Sequence, residues 1–232
     1  MANIKLLTDM CGPIQTNCYT LINEGTKEAV IIDAAGTPKS KDAEKLAENL
    51  KKAGAYLTAI FLTHGHYDHA GALDALRNIF KGVPVYIGKK DADMLKRPEL
   101  NLSSWLIGEP VSIDFGSDES KEKGNNDKTV EDGEEISVLD TKVKCLLVPG
   151  HTSGSICYYF PEISSVFDGD TLFTGSVGRS DFPTGDGNLL IEKIREKLFS
   201  LPGDTKVFPG HGTETTIRCE KAGNFCFDGE ME

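Results

Sequence analysis

Four apolar stretches of this 232-residue chain each lead into a short turn that carries a histidine or an aspartate. The stretches are short and rich in β-branched and aromatic residues, which is typical of buried strands. The residues at their ends, each beside a glycine, are His64, His151, Asp170 and His211. Strands of one polarity that lie side by side end at the same edge and can hold side chains in a shared space. The pattern therefore predicts a layered fold with these four side chains gathered at one edge.

Strands and helices alternate along the chain, which predicts a layered domain of the α/β or α+β class. Residues 18–33 indicate two strands joined by a turn, and residues 57–62 indicate a buried strand. Apolar residues recur at helical spacing over residues 39–53 and 70–80. No repeat or linker divides the sequence, so we expect one domain over residues 1–232.

The segment from residue 114 to residue 135 differs in composition from the rest of the chain. It contains nine acidic residues and three lysines, and few apolar residues. Such a composition cannot supply much buried apolar surface. We therefore expect an acidic loop or insertion around 114–135 that lies outside the core.

The net charge of −11 restricts the class of partner. Nucleic acids and anionic membranes attract basic surfaces, so we expect neither as a partner. The N-terminal sequence lacks a basic segment followed by an apolar one, and no stretch is apolar for long enough to span a bilayer. The six cysteines form no CxxC pair, which favours buried free thiols. We expect a cytoplasmic protein that acts on a small molecule, with an oligomeric state that the sequence leaves open.

Three of the five histidines lie within FLTHGHYDHAGAL, residues 61–73. His64 and His66 are two residues apart, so at an extended strand end their side chains point the same way. Asp68 and His69 follow at the start of a predicted helix and are turned in another direction. One turn can therefore supply ligands to two adjacent metal ions.

The remaining histidines and Asp170 complete two sets of metal ligands. The first predicted set is His64, His66 and His151; the second is Asp68, His69 and His211, with Asp170 between the two. Imidazole and carboxylate ligands suit two Zn²⁺ ions, and also Fe or Mn. Two such ions that share a water form a hydrolytic centre, in which the bridging hydroxide attacks a carbonyl. Asp68 is the expected catalytic carboxylate, because its second oxygen can orient that hydroxide.

These residues resemble the signature of the metallo-β-lactamase superfamily. Residues 63–69, THGHYDH, are similar to its first motif, and PGHT, GDTLF and PGHG follow in the family's order. The resemblance implies a four-layer αββα sandwich with the metal ions at one edge of the two sheets. It also implies that Asp33 is the structural aspartate that supports the histidine loop.

Within that superfamily the chain is most similar to glyoxalase II-like hydrolases. The stretch GDTLFTGSVGRSDFPTGD resembles the segment after their bridging aspartate, and Arg179 matches a cation that binds the glutathione end of the substrate. Asp181 replaces the family's tyrosine two residues later, and Gly212-Thr213 replaces another tyrosine. The sequence continues for 21 residues after His211, so we expect it to be more like the short, single-domain members than the two-domain members with a long helical C-terminal domain. The resemblance implies a single-domain hydrolase of a thioester such as S-lactoylglutathione, or of a related small ester.

A second reaction class shares most of these residues. Gly178 to Phe182, GRSDF, also resembles the persulfide dioxygenases of the superfamily, which hold one iron at the positions of His64, His151 and Asp170. Two histidines and one carboxylate leave coordination positions open for O₂. A β-lactamase is less expected, because those enzymes are exported and many carry a cysteine at the position of Asp170.

Overall fold

Two six-stranded sheets stack face to face in this computed structural model, which describes residues 3–227. Along the first sheet the strands are β1 (Ile4–Cys11), β2 (Thr16–Asn23), β3 (Glu28–Ile32), β4 (Tyr56–Phe61), β5 (Pro84–Gly88) and β6 (Asn126–Val130). The second sheet contains β7 (Glu135–Val138), β8 (Thr141–Leu147), β9 (Ile156–Phe160) and β10 (Ser165–Gly169), then β13 (Lys206–Pro209) and β14 (Thr215–Thr216). Strands β11 (Leu172–Phe173) and β12 (Ser176–Val177) form a small hairpin beside it.

Helices cover the outer face of each sheet. Six helices lie between strands of the first sheet along the chain: α1 (Asp42–Ala53), α2 (Tyr67–Ala70), α3 (Leu73–Ile79), α4 (Pro98–Asn101), α5 (Ser103–Ile107) and α6 (Asp118–Glu122). The second sheet carries α7 (Gly187–Lys193), which continues as a π-helical turn over Ile194–Leu198, and α8 (Ile217–Gly223). None of the helices within residues 3–227 combines the length and the apolar character that a bilayer crossing requires.

The alternation of side chains along the strands produces the four layers. In β3, Val30 and Ile32 face the second sheet, where they join a core with Tyr158 and Phe167. Ala29 and Ile31 face the other way and pack with the helices. Burying each large apolar side chain contributes about 1.5–3 kcal/mol, so both faces of the strand stabilise the stack. The predicted αββα sandwich is confirmed.

Parallel pairing brings the strand ends to one edge. Strands β3 and β4 are parallel, with Ile32 opposite Phe61, and strands β10 and β13 are parallel, with Gly169 opposite Pro209. Each pair of strands therefore ends at one edge of its sheet, and ligand atoms of the residues that follow β4, β10 and β13 lie within 4.8 Å of one another. This edge positions the residues that follow each strand.

The prediction of a loop around 114–135 is wrong for part of that segment. Helix α6 lies within it, and strand β6 pairs with β5 in parallel over its five residues. The side chain of Val130 is buried in the core between the sheets. Asp127 is also buried, against the guanidinium of Arg77. Strand β6 lies at the edge of the sheet and needs few apolar residues, because backbone hydrogen bonds to β5 hold it in place. The charge of its Asp127 is neutralised by Arg77, which lies outside the segment.

Several local predictions also need correction. The predicted helix over residues 70–80 is broken, because α2 ends at Ala70 and α3 begins at Leu73. Strand β1 was not predicted; it pairs with β2 at the edge of the first sheet. Four cysteines are buried as expected, whereas Cys219 and Cys226 are exposed, and all six are free thiols.

Candidate metal centre

The histidine loop begins where β4 ends and is held by Asp33. The backbone N–H of Thr63 donates to Asp33 Oδ1 at 2.8 Å, and the Thr63 hydroxyl donates to Asp33 Oδ2 at 2.9 Å. His69, on α2, donates from Nδ1 to the same carboxylate at 2.8 Å. Asp33 therefore supports both ends of the loop, as the resemblance to the metallo-β-lactamase superfamily implied.

Three imidazoles meet in the first ligand group. His64 Nε2 lies 3.0 Å from His66 Nδ1, and His151 Nε2 lies 3.2 Å and 2.9 Å from those two atoms. The other nitrogen of His151 lies 2.7 Å from the backbone carbonyl of Arg179, which can only accept, so Nδ1 carries the proton. In the neutral ring the Nε2 lone pair then points into the group. Convergent lone pairs on three buried rings fit a cation at their centre.

Four side chains form the second group. His69 Nε2 lies 3.3 Å from Asp68 Oδ2 and 3.3 Å from Asp170 Oδ1. His211 Nε2 lies 3.2 Å from the same Asp68 oxygen and 3.7 Å from Asp170 Oδ2. Neither His69 Nε2 nor Asp170 Oδ1 has a hydrogen-bond partner, although both atoms are buried. Unpartnered buried polar atoms of opposite preference around one point fit a bound ion.

Asp170 lies between the two groups. Its Oδ2 is 3.7 Å from His151 Nε2 in the first group and 3.7 Å from His211 Nε2 in the second. Within each group, one ligand atom from each residue lies within 4.8 Å of the others. The structure thus brings together all seven side chains that the sequence predicted to converge.

Two glycines allow the strand ends to approach this closely. A Cβ at Gly169, where φ is +54°, would lie 2.3 Å from the Thr63 hydroxyl. A Cβ at Gly210 would lie 2.4 Å from the His69 ring and 2.5 Å from Asp170. Any side chain at either position would push the second sheet away from the histidine loop.

The electrostatics of the two groups differ. Burial lowers the pKa of His66 to about 3 and the pKa of His64 well below its ordinary value, so both rings are neutral. Burial also opposes protonation of His69, yet the carboxylates around it hold its pKa well above the usual range. The pKa of Asp170 falls to about 2, because the neighbouring histidines outweigh its burial. The second group thus favours positive charge at its centre, and a divalent ion supplies that charge when it replaces a proton.

Asp91 is a positioning residue that sequence analysis missed. Its Oδ2 accepts from the Gly65 N–H at 3.0 Å and from the Thr152 hydroxyl at 2.6 Å. Gly65 lies between His64 and His66, and Thr152 follows His151, so one buried carboxylate ties the two loops of the first group together. Nothing in the local sequence KKDADML distinguishes Asp91 from the acidic residues beside it.

An apolar cleft of about 420 Å³ opens above the two groups. Its walls include Ile14, Leu102, Trp105, Leu106, Phe173, Val177 and Phe182. The Phe182 ring lies 5.8 Å from that of His66 and 5.7 Å from that of Trp105. Phe173, Val177 and Phe182 belong to the motif GDTLFTGSVGRSDFPTGD, whereas Ile14, Leu102, Trp105 and Leu106 gave no signal in the sequence because they come from segments far from the ligand motifs.

Arg179 lies in the cleft wall, but its guanidinium is already paired. It donates to both carboxylate oxygens of Asp181, at 2.8 Å and 2.7 Å, and lies 3.8 Å above the Phe182 ring. Its predicted role in substrate binding stays a prediction. The backbone carbonyl of the same residue has a separate role, as the acceptor for His151.

The fold and the site agree with the comparisons to known proteins. The family model for the metallo-β-lactamase superfamily matches residues 11–211. The probable metallo-hydrolase YqgX of Bacillus subtilis is 34% identical over 218 residues, covering 94% of this chain and 95% of that protein. The hydroxyacylglutathione hydrolase GloC of Haemophilus influenzae is 36% identical over 210 residues, covering 90% and 92%.

Three solved structures are similar to this chain over most of its length. BLEG-1, described as a B3 metallo-β-lactamase, is 38% identical, with a TM-score of 0.86 and coverage of 97% of this chain and 100% of that one. TTHA1623, solved in a di-iron-bound form, is 32% identical, with a TM-score of 0.75 and coverage of 94% and 98%. ETHE1 from Myxococcus xanthus is 28% identical, with a TM-score of 0.71 and coverage of 96% and 83%. The chain belongs to the metallo-β-lactamase superfamily, and it is a metallo-hydrolase of that superfamily.

Proposed function

We propose that the protein is a cytoplasmic dinuclear metallo-hydrolase that cleaves small thioesters or esters. His64, His66 and His151 would hold one ion; Asp68, His69 and His211 would hold the other, with Asp170 between them. Zn²⁺ is the proposed metal, and the di-iron form of the similar TTHA1623 supports iron as the alternative. The observation that carries the proposal is the position of two ligand groups, which include the unpartnered buried atoms His69 Nε2 and Asp170 Oδ1, at the floor of an apolar cleft.

The reference substrate is S-lactoylglutathione, because the relative GloC is a hydroxyacylglutathione hydrolase. When bound, two divalent ions polarise a carbonyl and lower the pKa of a water molecule. The protein contributes the rest of the mechanism. Asp68, which is 9% exposed, lies at the floor of the cleft where its carboxylate can accept the proton of the attacking water. The walls around Phe182 exclude bulk water and hold the acyl group above the ligands. The net charge of −11 supports a small-molecule substrate over a nucleic acid.

The test is a substrate panel on protein whose zinc, iron and manganese content has been measured. The panel contains S-lactoylglutathione, uncharged acyl thioesters, simple esters and a β-lactam, the last because of the similarity to BLEG-1. We expect thioester hydrolysis that chelation abolishes and Zn²⁺ restores. His66→Ala should remove turnover while the circular dichroism spectrum is kept. Lys206→Ala, at the opposite end of β13, is the control. Thioester turnover that survives complete chelation would refute the proposal.

Persulfide dioxygenation is the second candidate. It is favoured by the GRSDF segment and by the close approach of His151 to Asp170, 3.7 Å, beside His64. The ETHE1 structure has the same fold. Oxygen uptake with glutathione persulfide, together with one iron per chain, would establish this activity in place of hydrolysis.

A further inference from the structure

Arg179 lines the cleft, and its guanidinium is paired with the carboxylate of Asp181. Resting on the proposed hydrolase function, we infer that Asp181 is a specificity-determining residue. By neutralising Arg179 it makes the cleft select thioesters with apolar, uncharged groups over anionic carriers of the glutathione kind. The inference narrows the substrate class from small thioesters in general to uncharged ones.

The geometry of the pair shows that the guanidinium of Arg179 is bound to Asp181. Nε and Nη2 of Arg179 lie 2.8 Å and 2.7 Å from the two oxygens of Asp181, which is a bidentate arrangement. One face of the guanidinium lies 3.8 Å above Phe182. An edge and a face of the group are therefore already in contact with protein. The hydrogen bond from Arg179 lowers the pKa of Asp181 to about 2, so the pair carries no net charge at neutral pH.

Apart from the proposed metal ions at the floor, the side chains of the cleft offer an anion little compensation. Among the described residues that line the cleft, Arg179 is the single arginine or lysine. The acidic residues at the floor, Asp68 and Asp170, face the ligand groups. An entering carboxylate would lose its hydration without gaining an unpaired cation from the walls, which is unfavourable.

The walls are suited to apolar groups instead. Trp105 is 67% exposed and Ile14 is 45% exposed, although both line the cleft. Trp105 and Phe182 lie edge to face at 5.7 Å and form one continuous aromatic wall beside His66. A ligand with an aliphatic or aromatic chain would cover these surfaces, and covering exposed apolar area favours binding.

The pair can be tested without unfolding the protein. The side chains of Arg179 and Asp181 are 51% and 68% exposed, and exposed ion pairs contribute little to stability. Arg97 and Glu99 form an exposed pair with the same spacing outside the cleft, joined at 2.8 Å, and supply a matched control. Trp105 is the only tryptophan of the chain, so its fluorescence reports on the cleft.

The experiment measures binding of two thioethers that share a hexyl chain to zinc-loaded protein. S-hexylglutathione is anionic and S-hexyl-N-acetylcysteamine is uncharged; neither contains a bond that the enzyme can cleave. The wild-type protein should bind the uncharged ligand more tightly. Asp181→Asn should tighten S-hexylglutathione binding about two- to fivefold, the range expected for an exposed ion pair, and leave the uncharged ligand unchanged. The gain should vanish in the double variant Arg179→Gln, Asp181→Asn, and Glu99→Gln should change neither affinity.

The outcomes separate this inference from the proposed function. If the wild-type protein binds S-hexylglutathione as tightly as the uncharged ligand, or if Asp181→Asn changes neither affinity, the inference is overturned. If the expected selectivity is seen but no thioester is hydrolysed, the selectivity of the cleft stands and the proposed reaction fails. Parallel turnover assays with the corresponding thioesters make that distinction.

Discussion

Replacing Asp33 by asparagine should weaken one metal site and spare the other. Asp33 is buried and accepts from Thr63 and His69. Its φ of +61° lies in the left-handed region, which asparagine tolerates about as well as aspartate. The amide oxygen can occupy the Oδ1 position and keep the contact with the Thr63 N–H. The amide nitrogen then occupies the Oδ2 position, 2.8 Å from His69 Nδ1.

The hydrogen-bonding group opposite His69 Nδ1 determines which ring nitrogen carries the proton. An amide nitrogen only donates, so His69 Nδ1 must become an acceptor and the ring proton must move to Nε2. Nε2 is the atom that faces Asp68 and Asp170, and a protonated nitrogen cannot bind a metal ion. Loss of a carboxylate that orients a ligating histidine costs 10–100-fold in metal affinity, or about 1.4–2.7 kcal/mol. The first group does not include His69, so its affinity should stay near the wild-type value.

The assay is calorimetric titration of metal-free protein with Zn²⁺, combined with metal content after dialysis. We expect one tightly bound ion and a second ion bound 10–100-fold more weakly than in the wild-type protein. Glu220→Gln is the control, since Glu220 is also buried but its contacts are to Gly175, Thr215 and Asn224 and to no histidine nitrogen. Two ions bound to Asp33→Asn with unchanged affinity would show that Asp33 does not set the tautomer of His69.

Three further predictions concern the ligands and the stability of the fold. Asp170→Ala should lower the metal content of both sites, because its Oδ2 lies 3.7 Å from both His151 Nε2 and His211 Nε2; unchanged content by elemental analysis would contradict its place between the groups. Arg77→Ala should lower the free energy of unfolding in urea by about 3–5 kcal/mol, because it leaves the buried Asp127 without its cation. Arg97→Ala, at an exposed pair, should leave the midpoint nearly unchanged, and equal effects would argue against the importance of burial. The metal-free protein should lose stability as pH falls from 6.5 towards 4, because the pKa of His66 drops to about 3 on folding and the unfolded chain binds the extra proton. His66→Gln should make that slope shallower by up to about 1.4 kcal/mol per pH unit, and identical slopes would contradict the burial argument.

The convergence of the seven side chains could be predicted because the signal is local. Each ligand follows an apolar run, and parallel pairs such as β3 with β4 place strand ends at one edge whatever the rest of the fold does. The spacing of His64 and His66 likewise reports the direction of both side chains without any knowledge of distant contacts.

Features that depend on distant contacts were not predictable. Strand β6 pairs along its whole length, yet its sequence NDKTV contains one apolar residue, and its buried Asp127 is compensated by Arg77 from α3. Asp91 supports the site through a hydrogen bond to Thr152, which is 61 residues away. The cleft wall joins Trp105 of α5 to Phe182 of a later loop. Periodicity and motif spacing carry no information about such pairs.

Each ligand group combines residues from the first and the second half of the sequence. His64 and His66 follow β4 of the first sheet, whereas His151 follows β8 of the second sheet and lies 85 residues after His66. An ion held by all three would act as a crosslink that spans the two halves of the sandwich. Its binding free energy would add to the folding free energy, since the unfolded chain lacks the preformed site. The melting temperature should therefore rise with metal concentration. The bound ion should stabilise the packing of the two sheets against each other, because its ligands come from both sheets.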